Sequence, residues 1–141
     1  MSFELNRYDA RQFVAGFKTS KIIDRHDGAI FSFAVEDDYI DEFEVYFPVK
    51  SVNVTEAMKE TVISALSNLT CLDNFVQQYS EYRCEITKHG KFNYELYPSY
   101  LKLDGNTVRI IYYGMHVNTE LRATFGRDVN GNWQVLDLLA C

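Results

Sequence analysis

Two tight-turn dipeptides, each set between alternating apolar and polar residues, constrain this chain more than any other feature. "YLKLDGNTVRIIYYGM" (Tyr100 to Met115) carries Asp104-Gly105, and "LRATFGRDVNGNWQVLDLL" (Leu121 to Leu139) carries Asn130-Gly131. Dipeptides of this kind are the strongest short-range hairpin signals, because glycine accepts the positive φ that a tight turn demands. Asn118-Thr119 is a third turn candidate joining the two hairpins. The expected product is four antiparallel strands in a meander.

The first half of the chain reads as a strand pair and helices. "AIFSFAV" follows the turn signal "HDG" (His26 to Gly28), and with "IDEFEVYF" it forms an antiparallel pair around an "EDD" connection. In the second strand Phe43, Val45 and Phe47 point one way and Glu42, Glu44 and Tyr46 the other, so one face is core and the other wet. "YDARQFVAGF" (Tyr8 to Phe17) reads as a short helix with Phe13, Val14 and Phe17 on one face, although Gly16 lies inside it.

After Pro48, "NVTE" offers Asn53 as an N-cap with Glu56 three residues on, the spacing of a capping box. Met58, Val62, Ala65, Leu66, Leu69, Leu72, Val76 and Tyr79 then form an amphipathic stripe. We read it as two helices broken near "NLTCLDN" (Asn68 to Asn74), because Asn, Thr and Asp compete for backbone hydrogen bonds and favour caps. No repeat and no linker interrupts the 141 residues. The expectation is α+β, one domain over residues 1–141, with an antiparallel, mainly meander sheet packed against one long or two shorter helices.

Composition sharpens the functional question. The net charge is −6, and Glu36, Asp37, Asp38, Asp41, Glu42 and Glu44 account for all of it: the other 20 − 6 = 14 acids are balanced by 14 bases. The basic residues are scattered along the sequence, which argues against direct binding to nucleic acid. Cys71, Cys84 and Cys141 are odd in number, widely spaced and without a CxxC, as free thiols of a reducing compartment would be. The opening residues lack the apolar region of a secretory signal, and no run reaches a membrane span, so a cytoplasmic protein without membrane contact is expected.

Catalytic patterns do not emerge. His26, His89 and His116 lie in separate elements, without HxH or HExxH spacing. Cys71 falls near the apolar stripe, where cysteine behaves as a small buried hydrophobe. There is no GxSxG elbow, phosphate loop or dinucleotide fingerprint. We therefore expect no catalytic residue, cofactor or metal. Hydrated, crowded carboxylates also lack the desolvation that separates an acid from a base.

The acidic stretch "VEDDYIDEFEVYF" admits two readings. A solvated hairpin edge would use its charges to block aggregation. A recognition surface would use Glu36, Asp37, Asp38, Asp41, Glu42 and Glu44 to steer a basic partner, with Tyr39 and Tyr46 adding aromatic contact area. A second candidate surface comprises "NYELYPSY" and "IIYYGMH", where Tyr112 and Tyr113 must face opposite sides of one strand.

The order of elements from about Ile30 to Leu138, closing on Gly114, Leu121, Ala123, Phe125, Asp128, Asn130, Gly131 and Trp133, resembles small bacterial immunity proteins of polymorphic-toxin and contact-dependent growth inhibition systems. That resemblance lies in architecture and strand phrasing, and no catalytic motif carries over. It implies a cytoplasmic, non-catalytic inhibitor that neutralises a cognate, basic toxin domain of nuclease type by stoichiometric binding. Glu36, Asp37, Asp38, Tyr39, Asp41, Glu42 and Glu44 are then the expected partner contacts. A general protein-binding or adaptor domain is the alternative, a small-molecule enzyme a more distant one, and the oligomeric state stays open.

Overall fold

A computed structural model describes residues 9–36, 41–78, 96–114 and 120–140. Its architecture is α+β, with strands β1 (Lys21–Arg25), β2 (Gly28–Ala34), β3 (Glu42–Phe47), β4 (Leu96–Asp104), β5 (Thr107–Gly114), β6 (Glu120–Arg127) and β7 (Trp133–Ala140). They form one sheet in sequence order, antiparallel throughout except for the parallel β3–β4 pair. A parallel pair needs a crossover rather than a hairpin. Here the crossover carries helices α2 (Glu56–Ser67) and α3 (Leu69–Gln78), while α1 (Ala10–Lys18) precedes the sheet.

The meander β4 to β7 and the β2–β3 pair form as their sequence signals predict. β1 does not follow from its sequence, since "KIIDR" has two adjacent apolar residues and no alternation. "HDG" therefore closes a β1–β2 hairpin, with Arg25 paired to Gly28, as well as introducing a strand. The Asn118-Thr119 turn lies outside the described residues.

One face of the sheet, with the three helices, holds the core. Phe13 and Phe17, one turn apart on α1, are buried against β2 and β3. Phe13 meets Phe43 edge-on at 5.3 Å, and Phe17 stacks on Phe47 at 6.1 Å between ring centroids. Gly16 is now explained. A Cβ there would lie 2.4 Å from Cδ2 of Phe33, so glycine is what lets α1 approach β2 this closely. Across the rest of the sheet, Leu101, Val108, Ile110, Ala123 and Phe125 are buried with Val62, Ala65, Leu66, Leu69, Leu72 and Val76 of α2 and α3.

The cap of α2 corrects the sequence reading. Thr55, not Asn53, is the N-cap, and its hydroxyl accepts from Met58 N at 3.2 Å. Asn53 belongs to a 3-10 turn, Ser51–Asn53, in which its own N–H donates to Lys50 O. The turn is held to β1 because Ser51 donates to the Asp24 carboxylate from both its backbone N (2.7 Å) and its hydroxyl (2.8 Å). The break between α2 and α3 falls at Asn68, whose side chain donates to Ser64 O at 2.8 Å while its backbone N donates to the same oxygen. A side chain that bonds the carbonyl one turn back weakens the helix at that point. Leu72 N then donates to Asn68 O and opens α3.

The β4–β5 turn is displaced by one residue from the Asp-Gly reading. Asp104 pairs with Thr107, so Gly105 and Asn106 form the turn, with glycine first at φ +62° and Asn106 not at positive φ. A glycine first in a two-residue turn is the type II′ arrangement, whose twist matches the flanking strands.

Candidate functional site

β3 carries two populations of side chains. Phe43, Val45 and Phe47 point into the core and are essentially inaccessible, as the two-residue period predicts. Glu42, Glu44 and Tyr46 lie on the face away from the helices. Glu42 is exposed, but Glu44 and Tyr46 are half-buried, so this face is less wet than the alternation alone suggests. Crowding by neighbouring strands causes the difference: Tyr46 meets Tyr100 of β4 edge-on at 5.1 Å, and its hydroxyl donates to Oε1 of Glu44 at 3.4 Å.

Glu36 and Asp41 stand at the base of the β2–β3 connection, both exposed, where Val35 N donates to Asp41 O at 3.1 Å. Glu42 accepts from the Ser32 hydroxyl across the strand pair. Among the described residues the ion pairs are Arg11–Asp9 and Lys59–Glu56, so no cation lies within 4.0 Å of Glu36, Asp41, Glu42 or Glu44. The structure thus brings four of the seven expected contacts to one end of β3 and its connection. Asp37, Asp38 and Tyr39 lie outside the described residues.

The electrostatics of this face show in its phenols. Burial, and then the Glu44 carboxylate, push the Tyr46 hydroxyl above the ordinary tyrosine value. Burial, then Tyr113 and Glu120, do the same to Tyr100. Both phenols stay protonated at neutral pH and present a hydroxyl and an aromatic edge beside the acids. As alternation requires, Tyr112 is buried while its neighbour Tyr113 is 45% exposed, on the face it shares with Tyr100.

Sequence reading missed two residues on this face, Lys102 and Arg109. They are directly opposite one another across the β4–β5 pair, both exposed, with Tyr46 beside Lys102 on the parallel strand. The signal was present in the hairpin but depended on the turn. An Asp-Gly turn would have set Lys102 against Thr107, whereas the Gly105-Asn106 turn sets it against Arg109.

The other sequence candidates do not converge on chemistry. His26 is exposed in its turn, and His89 and His116 lie outside the described residues. Cys71 is exposed on α3 rather than buried, which corrects the expectation. Partial desolvation nevertheless raises its thiol pKa, the opposite of an activated thiolate. No group of three or more His, Cys, Asp or Glu among the described residues could hold a metal ion, and no helix among them is long and apolar enough to cross a membrane. A groove between the β4–β5 and β6–β7 turns is lined by Asn106, Thr107, Arg127, Asp128 and Leu136, but the Asp128 carboxylate is engaged with the backbone N–H groups of Asn130 and Asn132. The β3 face presents exposed and half-buried carboxylates beside two phenol rings. Comparison of the chain with models of protein families, with curated proteins and with solved structures found no match.

Proposed function

We propose that this chain is an immunity protein that neutralises a cognate bacterial toxin domain, of basic nuclease type, by stoichiometric binding to its acidic surface. The observation that carries this reading is the set of exposed or half-buried carboxylates at Glu36, Asp41, Glu42 and Glu44 without a cation in ion-pair distance among the described residues. Uncompensated like charge costs stability, and a basic partner converts that cost into steering and specificity. Tyr46 and Tyr100 supply aromatic area beside the acids, the residue type most enriched at binding hot spots.

Binding by such a surface needs no catalytic residue on this chain, because the acids occupy the phosphate-binding region of the toxin. The test is direct. The product of the reading frame next to this gene is purified, and its complex with the wild-type chain is compared with that of a Glu36→Lys, Asp41→Lys, Glu42→Lys variant. Charge reversal at three positions is expected to weaken the complex at least 100-fold and to flatten its salt dependence. Unchanged affinity and salt dependence would overturn the reading.

A further inference from the structure

The β6–β7 turn holds an asparagine followed by a glycine, a pairing found at one place in this chain. Of its nine asparagines only Asn130 precedes a glycine. The turn residues from Arg127 to Asn132 are all exposed. Gly131 has φ +82° and nothing within 4 Å of its Cβ position, so neither a side chain nor a packed neighbour shields the peptide bond between the two residues.

Four hydrogen bonds hold the turn, and all of them involve Asp128. Its Oδ1 accepts from Asn130 N at 2.8 Å and from Asn132 N at 3.0 Å. Its backbone O accepts from Gly131 N at 2.9 Å, and its backbone N donates to Asn132 O at 2.9 Å. The Asn130 side chain takes part in none of these. Gly131 N, the nitrogen next to that side-chain amide, is occupied while the turn is closed.

We propose that Asn130 is a modification site, where the chain converts its own asparagine to aspartate or isoaspartate, and that Asp128 sets the rate by holding the turn shut. Asparagine is among the chemically labile residues. When the turn opens, Gly131 N loses its proton to solvent base and bonds to Cγ of Asn130. The Cγ–Nδ2 bond breaks, and ammonia leaves with a proton from water. One water then opens the five-membered succinimide. Opening at Cγ gives aspartate, and opening at the backbone carbonyl gives isoaspartate, with one extra atom in the main chain. The net change is hydrolysis of one amide to a carboxylate and ammonia, without oxidant or second substrate.

Opening is local. The hairpin beneath the turn stays anchored to α2 by Trp133 Nε1 on the Ser64 hydroxyl. Where such openings interconvert faster than the chemistry, the rate follows the open population. The turn lies beyond the row of Tyr46, Lys102, Arg109 and Thr124, at the opposite end of the sheet from Glu42, so the inference does not rest on the proposed function.

Ageing the intact chain in mildly alkaline buffer, followed by isoelectric focusing and peptide mapping, tests it. The expected product has one more negative charge than the −6 of the parent, located at residue 130. Ring closure at Asp27-Gly28 or Asp104-Gly105 loses water instead of ammonia and leaves the charge unchanged, so the charge readout reports asparagine alone. Asp128→Ala removes the acceptor of two N–H groups and is expected to raise the rate roughly tenfold. Asn130→Gln, whose longer side chain closes its ring far more slowly, is expected to abolish the acidic form. Urea below the unfolding transition should leave the wild-type rate nearly flat, because local opening exposes little surface. Circular dichroism checks folding, and Asp128→Asn, with a smaller expected rise, replaces Asp128→Ala if that variant does not fold. A wild type that stays unmodified while its urea-unfolded chain converts overturns the proposal. So does an acidic form that persists in Asn130→Gln, an unchanged rate in the folded Asp128 variant, or a wild-type rate that climbs steeply with urea.

Discussion

Gly28 and Gly131 are constrained for opposite reasons. Gly28, at the start of β2, does not have a positive φ, but a Cβ there would lie 2.0 Å from the backbone oxygen of Phe47, which cannot swing away as a side chain could. Gly131 has φ +82° and open space around its Cβ position. Gly28→Ala must therefore push β2 and the end of β3 apart, and is expected to cost roughly 3 kcal/mol or more, the upper range for overpacking. Gly131→Ala meets only the left-handed backbone penalty, about 1–2 kcal/mol. Urea denaturation of the two variants should give that order. Asp24 provides the pH dependence at this scale. Hydrogen bonds from the backbone N and hydroxyl of Ser51 hold its carboxyl below the usual aspartate range. A folded-state pKa below the unfolded value adds stability that is complete above the unfolded pKa, about 4, and is lost as pH falls through the folded one. Asp24→Asn is thus expected to lessen the loss of stability between pH 4 and pH 2, read as the acid-unfolding midpoint against the wild type.

At the scale of elements, the start of α2 separates two caps that look alike in sequence. Asn53 and Thr55 are both good capping residues, but only Thr55 has its side chain on a free N–H, that of Met58. Thr55→Ala is expected to cost about 1 kcal/mol, and Asn53→Ala only a few tenths, in the same denaturation measurement. Equal losses would mean that the cap is shared. The 3-10 turn takes Asn53 out of contention because Ser51 is anchored to β1, a contact spanning 27 residues of sequence that no capping rule contains. The β4–β5 turn behaves similarly. Alternation placed Lys102 and Arg109 on the same face whichever residues turned, but the Gly105-Asn106 turn decided that they are opposite one another. Cross-strand partners follow from turn geometry, while faces follow from parity.

Across the whole molecule, buried and part-buried polar contacts join the helix layer to the sheet. The Tyr112 hydroxyl on β5 donates to Oδ1 of Asp73 on α3 at 2.5 Å, and both residues are about 1% exposed. Removing a donor from a buried carboxylate takes away part of what compensates its desolvation. Tyr112→Phe is expected to cost about 1–3 kcal/mol and to loosen α3, seen as faster amide exchange over Leu69–Gln78 than over α2. The β6–β7 hairpin is tied to α2 in the same way: Trp133 Nε1 donates to the Ser64 hydroxyl at 3.0 Å, and Arg127 lies over the indole while donating to Thr61.

Elements with a period or a turn signal were legible from residues alone: the meander, the buried face of β3, the helical stripe and its break at Asn68. Their causes are local, acting over a few residues through side-chain direction, backbone φ and competition for a carbonyl. The acidic stretch was legible for the same reason, since charge is counted rather than folded. β1 was not, because five exposed residues form a strand only by pairing with β2. Nor were the parallel β3–β4 junction and the Tyr46–Tyr100 contact, which depend on where α2 and α3 return the chain. Sequence by itself determined which residues turn inwards and where the surplus charge lies. Only the tertiary structure decided which of them meet, because long-range contacts are set by packing a shared core and not by the spacing of any one segment.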